Sequence, residues 1–219
     1  MEAKGKKGVI FGIALILAFI LWTILIRTVD VQPVGVNNTD IGFAAVNTWF
    51  HRLTGETMWI YTVTDWLGLV PIVICVCFGI LGLVQLIQRK SLKKVDADII
   101  LLGIYYILVI IGYLVFEMIP INYRPILIDG AMEASYPSST TLLVLSVMPT
   151  LKFQADRRTG NDTVRWITTA FVILFSAFMV IGRLVSGVHW LTDIIGAVLL
   201  STGLYLVYRS AVAIADGRK

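Results

Sequence analysis

Apolar residues fill this chain in long runs broken by short polar stretches, so each run is apolar around its whole circumference and suits apolar surroundings on every side. The first run, Val9 to Ile26, follows a stretch carrying Lys4, Lys6 and Lys7. At about 1.5 Å per helical residue it reaches across a bilayer core of about 30 Å with some help from its flanks. It is longer than the apolar region of a signal peptide and no small-x-small cleavage site follows, so it is expected to stay as a first span. Runs over residues 66–87, 99–119, 138–151, 166–182 and 190–208 predict five more. The expected architecture is all-α: an integral membrane six-helix bundle, one domain over residues 1–219, with an extracytoplasmic interfacial helix. That last helix comes from residues 41–53, where Phe43, Val46, Trp49, Phe50 and Leu53 recur at helical spacing after a turn-rich stretch. Gly79 and Gly82, inside the second run, predict close packing against a neighbouring helix. The run at 138–151 has the minimal length for a span, and a re-entrant segment is its alternative.

Composition supports the membrane reading: 58% of the 219 residues are hydrophobic and the mean hydropathy is +0.85, against an apolar share of about 45–50% in soluble domains. The net charge of +4 does not point to nucleic acid, because the basic residues sit beside apolar runs instead of forming one stripe. Topology accounts for them. With six crossings and both termini on one side, that side receives Lys4, Lys6, Lys7, Arg89, Lys90, Lys93, Lys94, Lys152, Arg157, Arg158, Arg165, Arg209, Arg218 and Lys219, which is 14 of the 18 basic residues. The opposite side keeps Arg27, Arg52, Arg124 and Arg183. Such asymmetry predicts cytoplasmic termini and a fourth run that crosses fully. Cys75 and Cys77, two apart in an apolar run, point to different sides of a helix and imply neither a disulfide nor a metal framework.

Charged groups between apolar runs need a reason, and the stretch from Gly182 to Asp193 holds three of them. His189 can attack phosphorus through one ring nitrogen, while Asp193, four residues on and on the same helical face, supports the other. Arg183, six residues before the His, offers a planar fork of donors to phosphoryl oxygens. Arg124 and Arg183 have a plainer reading as residues snorkelling at span ends. Ser138 and Ser139 read as a helix cap, which coincides with an anion site because a helix N-terminus exposes N–H groups.

The pattern of Arg183, His189 and Asp193 resembles the third signature motif of the type 2 phosphatidic acid phosphatase superfamily. These are membrane-embedded and soluble histidine phosphatases, among them lipid phosphate phosphatases and undecaprenyl-diphosphate phosphatases. Upstream, Asn122-Tyr123-Arg124-Pro125 is similar to the end of the first motif and Tyr136-Pro137-Ser138-Ser139-Thr140 to the second. The resemblance implies removal of phosphate from a membrane lipid phosphate or diphosphate at the extracytoplasmic face, through a phosphohistidine at His189 oriented by Asp193. It assigns Arg124, Arg183, Ser138, Ser139 and Thr140 to the phosphate, and implies neither metal nor other cofactor.

Four positions depart from the family pattern: Gly182 stands in place of Ser, Glu117 in place of the first-motif Lys, Ser139 in place of the Gly that follows the second-motif Ser, and Thr140 in place of the second-motif His. That His protonates the leaving oxygen, and a Thr hydroxyl is far too weak an acid to replace it. Two readings of Glu117 follow. Buried at a helix end it holds a proton and donates it, as a third catalytic residue; alternatively it pairs with Arg124 and serves structure. The corresponding alternative for the whole chain is a non-catalytic relative that binds anionic lipid headgroups or a partner protein. The topology is tested with cysteines at Asp129 and Asp156 in a background lacking Cys75 and Cys77. Membrane-impermeant reagents should label the two from opposite sides, and labelling from one side would remove the six-span arrangement.

Overall fold

The structure, a computed structural model, describes residues 2–217, the first three as backbone only. Of the basic residues counted above, the side chain of Lys4 and residues Arg218 and Lys219 lie outside the described residues. Among the described residues the regular elements are helical: α1 (Glu2–Ile26), α2 (Ala44–Thr54), α3 (Met58–Leu67), α4 (Leu69–Arg89), α5 (Ala97–Met118), α6 (Ser139–Arg158), α7 (Asp162–Val185) and α8 (Leu191–Gly217). Five segments are long and apolar enough to cross a membrane: Gly5–Ile26, Met58–Arg89, Ala97–Met118, Asp162–Val185 and Leu191–Gly217. The chain is a multi-pass membrane protein.

The second of these begins earlier than residue 66, because α3 and α4 run on through Gly68, whose N–H still bonds the carbonyls of Thr64 and Asp65. Tyr61, Thr62, Thr64 and Asp65 dilute the hydropathy of these first turns without interrupting the helix. Helix α6 differs from the five in being too polar to qualify by composition, and it continues past residue 151 to Arg158. Its position explains this. Thr140, Thr141, Ser146, Thr150 and Gln154 are all buried, so this helix meets other helices where the five meet lipid. Across it the Tyr105 hydroxyl donates to the Ser146 carbonyl at 2.9 Å, Tyr106 and Thr150 share a 2.7 Å bond, and Gln154 Nε2 donates to the Tyr208 hydroxyl at 2.9 Å. Its 20 residues span about 30 Å. At one end Ser138 N–H donates to the Asp193 carbonyl, and at the other Arg157 pairs with Asp216 at 2.7 Å, so α6 runs parallel to α8 over the full depth of the bundle.

Of the two glycines expected at a close helix contact, Gly79 faces open space, whereas a Cβ on Gly82 would come within 3.1 Å of Ile99 on α5. It is α1 and α8 that meet through small residues: a Cβ on Gly12 would come within 2.8 Å of the Gly203 carbonyl, and one on Gly8 within 2.2 Å of Ser210 Oγ. Without bulky side chains the two backbones pack directly, the usual basis of association where lipid supplies no hydrophobic drive. Beyond α1 the chain turns into α2, whose Val46, Trp49 and Leu53 face outward while Asn47 is buried. Asn47 Nδ2 donates to the Gly42 carbonyl and to Thr192 Oγ1, and its Oδ1 accepts from Thr192 N–H, which fixes α2 against the start of α8.

Candidate active site

Four segments converge at the end of the bundle where α8 begins. The turn from Ser186 to Trp190 carries His189. It is possible because Gly187 takes φ 73° and because a Cβ there would fall 2.1 Å from the Gly55 carbonyl. The Thr57 N–H donates to the Ser186 carbonyl, and the Gly187 carbonyl accepts from His51 Nε2 at 3.1 Å. His51, the other histidine, thus holds the turn and presents its ring to Trp190, centroids 5.7 Å apart.

Asp193 is fully buried and sits in the first turn of α8. Its Oδ2 accepts from the Trp190 N–H at 2.9 Å, reaching back across the helix start as an acidic cap, and its Oδ1 lies 3.4 Å from Asn122 Nδ2. His189 Nδ1 stands 3.6 Å from Oδ2, close enough for attraction and just beyond a hydrogen bond. Burial, and after it the positive charges of Arg124 and Arg183, hold the His189 imidazole well below its ordinary pKa of 6.5. The ring is neutral at physiological pH, with Nε2 free of any hydrogen-bond partner.

The two arginines flank Tyr61. The Arg124 guanidinium lies 5.6 Å and that of Arg183 4.8 Å from the ring centroid, both within cation–π range. Arg124 is carried by the segment from Asn122 to Ser135, which folds back on itself. Backbone bonds join Arg124 to Glu133 and Ser135 to Asn122, and Asp129 and Gly130, at φ 49° and 80°, form the two-residue turn between Ile128 and Ala131. Arg124 Nη2 pairs with Glu133 at 3.1 Å, while its Nε and Nη1 have no partner. Arg183 is 1% exposed; Nη1 lies 3.5 Å from Thr64 Oγ1 and Nη2 3.6 Å from Asp65, and Nε has no partner.

Of the remaining expected site residues, Ser138, Ser139 and Thr140 form the N-terminal turn of α6, with Ser138 Oγ donating to Thr141 Oγ1 at 3.1 Å and no side chain capping the helix N–H groups. Glu117 departs from its expected surroundings: it is exposed on the last turn of α5, and the carboxylate paired with Arg124 is Glu133. The physical reason is position, since α5 ends at Met118 and the returning hairpin supplies its own acid to Arg124. Asn122, Glu133, Tyr61, Thr64 and Asp65 escaped the sequence reading of the site. For the last three, a helix begun at Met58, with Tyr61 and Asp65 one turn apart, is the signal that would have found them.

A groove of about 540 Å³ leads from this end down between α4, α5 and α6. Asp65, Ser139 and Thr140 lie on it with Leu69, Ile72 and Val109, so a polar edge gives way to an apolar wall. Chemically, the site offers a neutral imidazole with a free lone pair, two guanidinium groups with unused donors and a helix N-terminus, groups that suit an anion.

The chain is a multi-pass helical membrane protein with two arginines and a histidine buried together at one end of the bundle. The model of the PAP2 superfamily matches residues 107–214, and the chain belongs to that superfamily. The fold is similar to the crystal structure of a transmembrane PAP2-type phosphatidylglycerolphosphate phosphatase from Bacillus subtilis, with a TM-score of 0.59 at 17% identity over 95% of this chain and 97% of that one. No curated protein matches the chain in sequence.

Folding excludes from His189 a proton that the unfolded chain binds below its ordinary pKa of 6.5. The native state therefore keeps its full stability above that pH and loses it as pH falls below. One unit lower the loss is on the order of 1 kcal/mol, roughly 2–4 °C in melting temperature for a chain of this size. In detergent, wild-type protein should lose more melting temperature between about pH 7.5 and 5.5 than His189→Gln. Equal losses would contradict a neutral, buried imidazole.

Proposed function

We propose that the protein is a membrane lipid phosphatase acting through a phosphohistidine at His189, on a lipid monophosphate or diphosphate. The observation that carries this reading is the cluster of buried nitrogens with no partner: Nε and Nη1 of Arg124, Nε of Arg183 and both ring nitrogens of His189. A buried donor left unsatisfied costs roughly 1–3 kcal/mol, more when charged. Several at one place are best explained by an anion that satisfies them. Membership of a superfamily of phosphatases agrees with that anion being a phosphate ester.

In this reading the phosphoryl oxygens lie between Arg124 and Arg183, with the N–H groups of Ser139 and Thr140 and the Ser138 turn completing the cradle. The two cations and the helix end offset the charge of the phosphate as it transfers. His189 Nε2 attacks phosphorus, and Asp193, facing Nδ1, stabilises the positive charge that the ring acquires. The lipid chain occupies the groove between α4, α5 and α6. Charge asymmetry supports cytoplasmic termini and hence a site on the outer face.

Protein in detergent, offered phosphatidate, phosphatidylglycerol phosphate, sphingoid phosphates and isoprenyl diphosphates, should release inorganic phosphate from at least one. His189→Ala should abolish the release, and Asp193→Asn should lower kcat by about 10⁴ if it acts as the Asp of a catalytic triad does. Activity unaffected by His189→Ala would remove the mechanism. No release from any lipid, with retained binding of the same headgroups, would favour a binding relative.

A further inference from the structure

We infer that Asp65 is the acid that protonates the leaving oxygen, an assignment that rests on the phosphatase reading and completes it. When phosphorus passes to His189, the bond from phosphorus to the lipid oxygen breaks and its electron pair stays on that oxygen. An alkoxide is a poor leaving group and needs a proton as the bond opens. The lipid chain is attached to this oxygen, so the donor must stand where the phosphate site meets the groove. The polar groups on the groove wall at that junction are Asp65, Ser139, Thr140 and Tyr113, with Asp65 Oδ1 3.6 Å from Arg183 Nη2. The three hydroxyls are weaker acids than a carboxyl, which leaves Asp65 for the task.

The other carboxylates near the site are already engaged or lie to one side. Asp193 is held by Trp190 and Asn122 behind the histidine, and Glu133, paired with Arg124 at 3.1 Å on the hairpin, does not line the groove, whereas Asp65 does and stands 3.6 Å from Arg183. Glu117 does not line the groove. It lies beside the hairpin on a small cavity with Ser135, Tyr136 and Pro137, a cavity that adjoins the groove at Tyr113 and Ser139. Asp65, by contrast, is 57% exposed and lines the groove itself. A local feature of the sequence brings it into place: a Cβ on Gly182 would come within 2.7 Å of Thr64 Cγ2, so glycine there lets α3 lie against the helix that carries Arg183.

The proton balance closes without a further reactant. The Asp65 carboxyl gives its proton to the lipid oxygen, which leaves as the alcohol. The carboxylate then takes a proton from the water that attacks phosphohistidine, and inorganic phosphate departs with acid and imidazole restored. Tyr61, Arg183, Tyr113 and Thr140 are the polar or charged neighbours facing this position from α3, α7, α5 and α6.

The test compares dodecyl phosphate, whose alkoxide needs a proton, with 4-nitrophenyl phosphate, whose leaving group scarcely does. Asp65→Asn should lower kcat on dodecyl phosphate by on the order of 100-fold or more and on the aryl ester by only a few-fold. Retained aryl activity also shows that the variant folds. Equal losses on both esters, or no loss on either, would overturn the assignment, as would the same leaving-group signature in Glu117→Gln instead. Wild-type protein inert towards both esters, and indistinguishable from His189→Ala, would count against the phosphatase reading on which the assignment stands.

Discussion

Two arginines and a histidine are buried together with donors that the protein itself does not satisfy, and much of this end of the molecule is arranged around that burden. A charge taken out of water needs a partner, yet Arg183 has only an aromatic face, a hydroxyl at 3.5 Å and a carboxylate at 3.6 Å. Each of these is weaker than a direct two-pronged ion pair. A bound anion would complete the set, and a fully paired arginine would have no capacity left for one. The partial pairing therefore keeps the site folded when empty without closing it to a ligand.

Holding that arrangement requires rigidity from outside the site. Tyr136 is wedged among Phe19, Phe116 and Thr23, its hydroxyl 2.7 Å from Thr23 Oγ1, and it immediately precedes the turn that starts α6. Trp22 Nε1 donates to the Thr192 carbonyl and Trp190 Nε1 to that of Tyr123, so α1 and the hairpin are both fixed to the start of α8. At the far end of the bundle Asp98 is buried between Arg157 and Arg158, and Asp96 joins Arg89 to Arg158. These ion pairs hold α6 against α5 where its sequence turns from apolar to charged. Both ends of the central helix are thereby tied, and the buried arginines and histidine lie at one of them.

How much of this was legible in the sequence differs from element to element. Unbroken apolar runs located the α1, α4, α5, α7 and α8 crossings, because lipid-facing helices must be apolar all round. The same rule failed for the ends of α6, whose buried threonines and glutamine answer to protein neighbours that a hydropathy pattern does not see. Small residues marked a close contact in principle but not which helix makes it: Gly8 and Gly12 meet α8, whereas Gly79 faces open space. In the site, Arg183, His189 and Asp193 are close in sequence and share one turn and one helix start, so their spacing was informative. Tyr61 and Asp65 reach the site only because α3 folds against α7 at Gly182, a contact between positions more than a hundred residues apart. The sequence pattern did not indicate that the segment turning at Asp129 and Gly130 would return Glu133, in place of Glu117, to Arg124.

In the proposed reaction the neutral imidazole of His189 receives the phosphoryl group within this cluster. Rapid acid-free quenching of turnover with a ³²P-labelled lipid substrate, followed by peptide mapping, examines that step directly. Phosphate labile to acid and stable to base should be found on His189 and be absent after hydroxylamine treatment. Turnover that proceeds with no label on His189, or with label on another residue, would contradict that step.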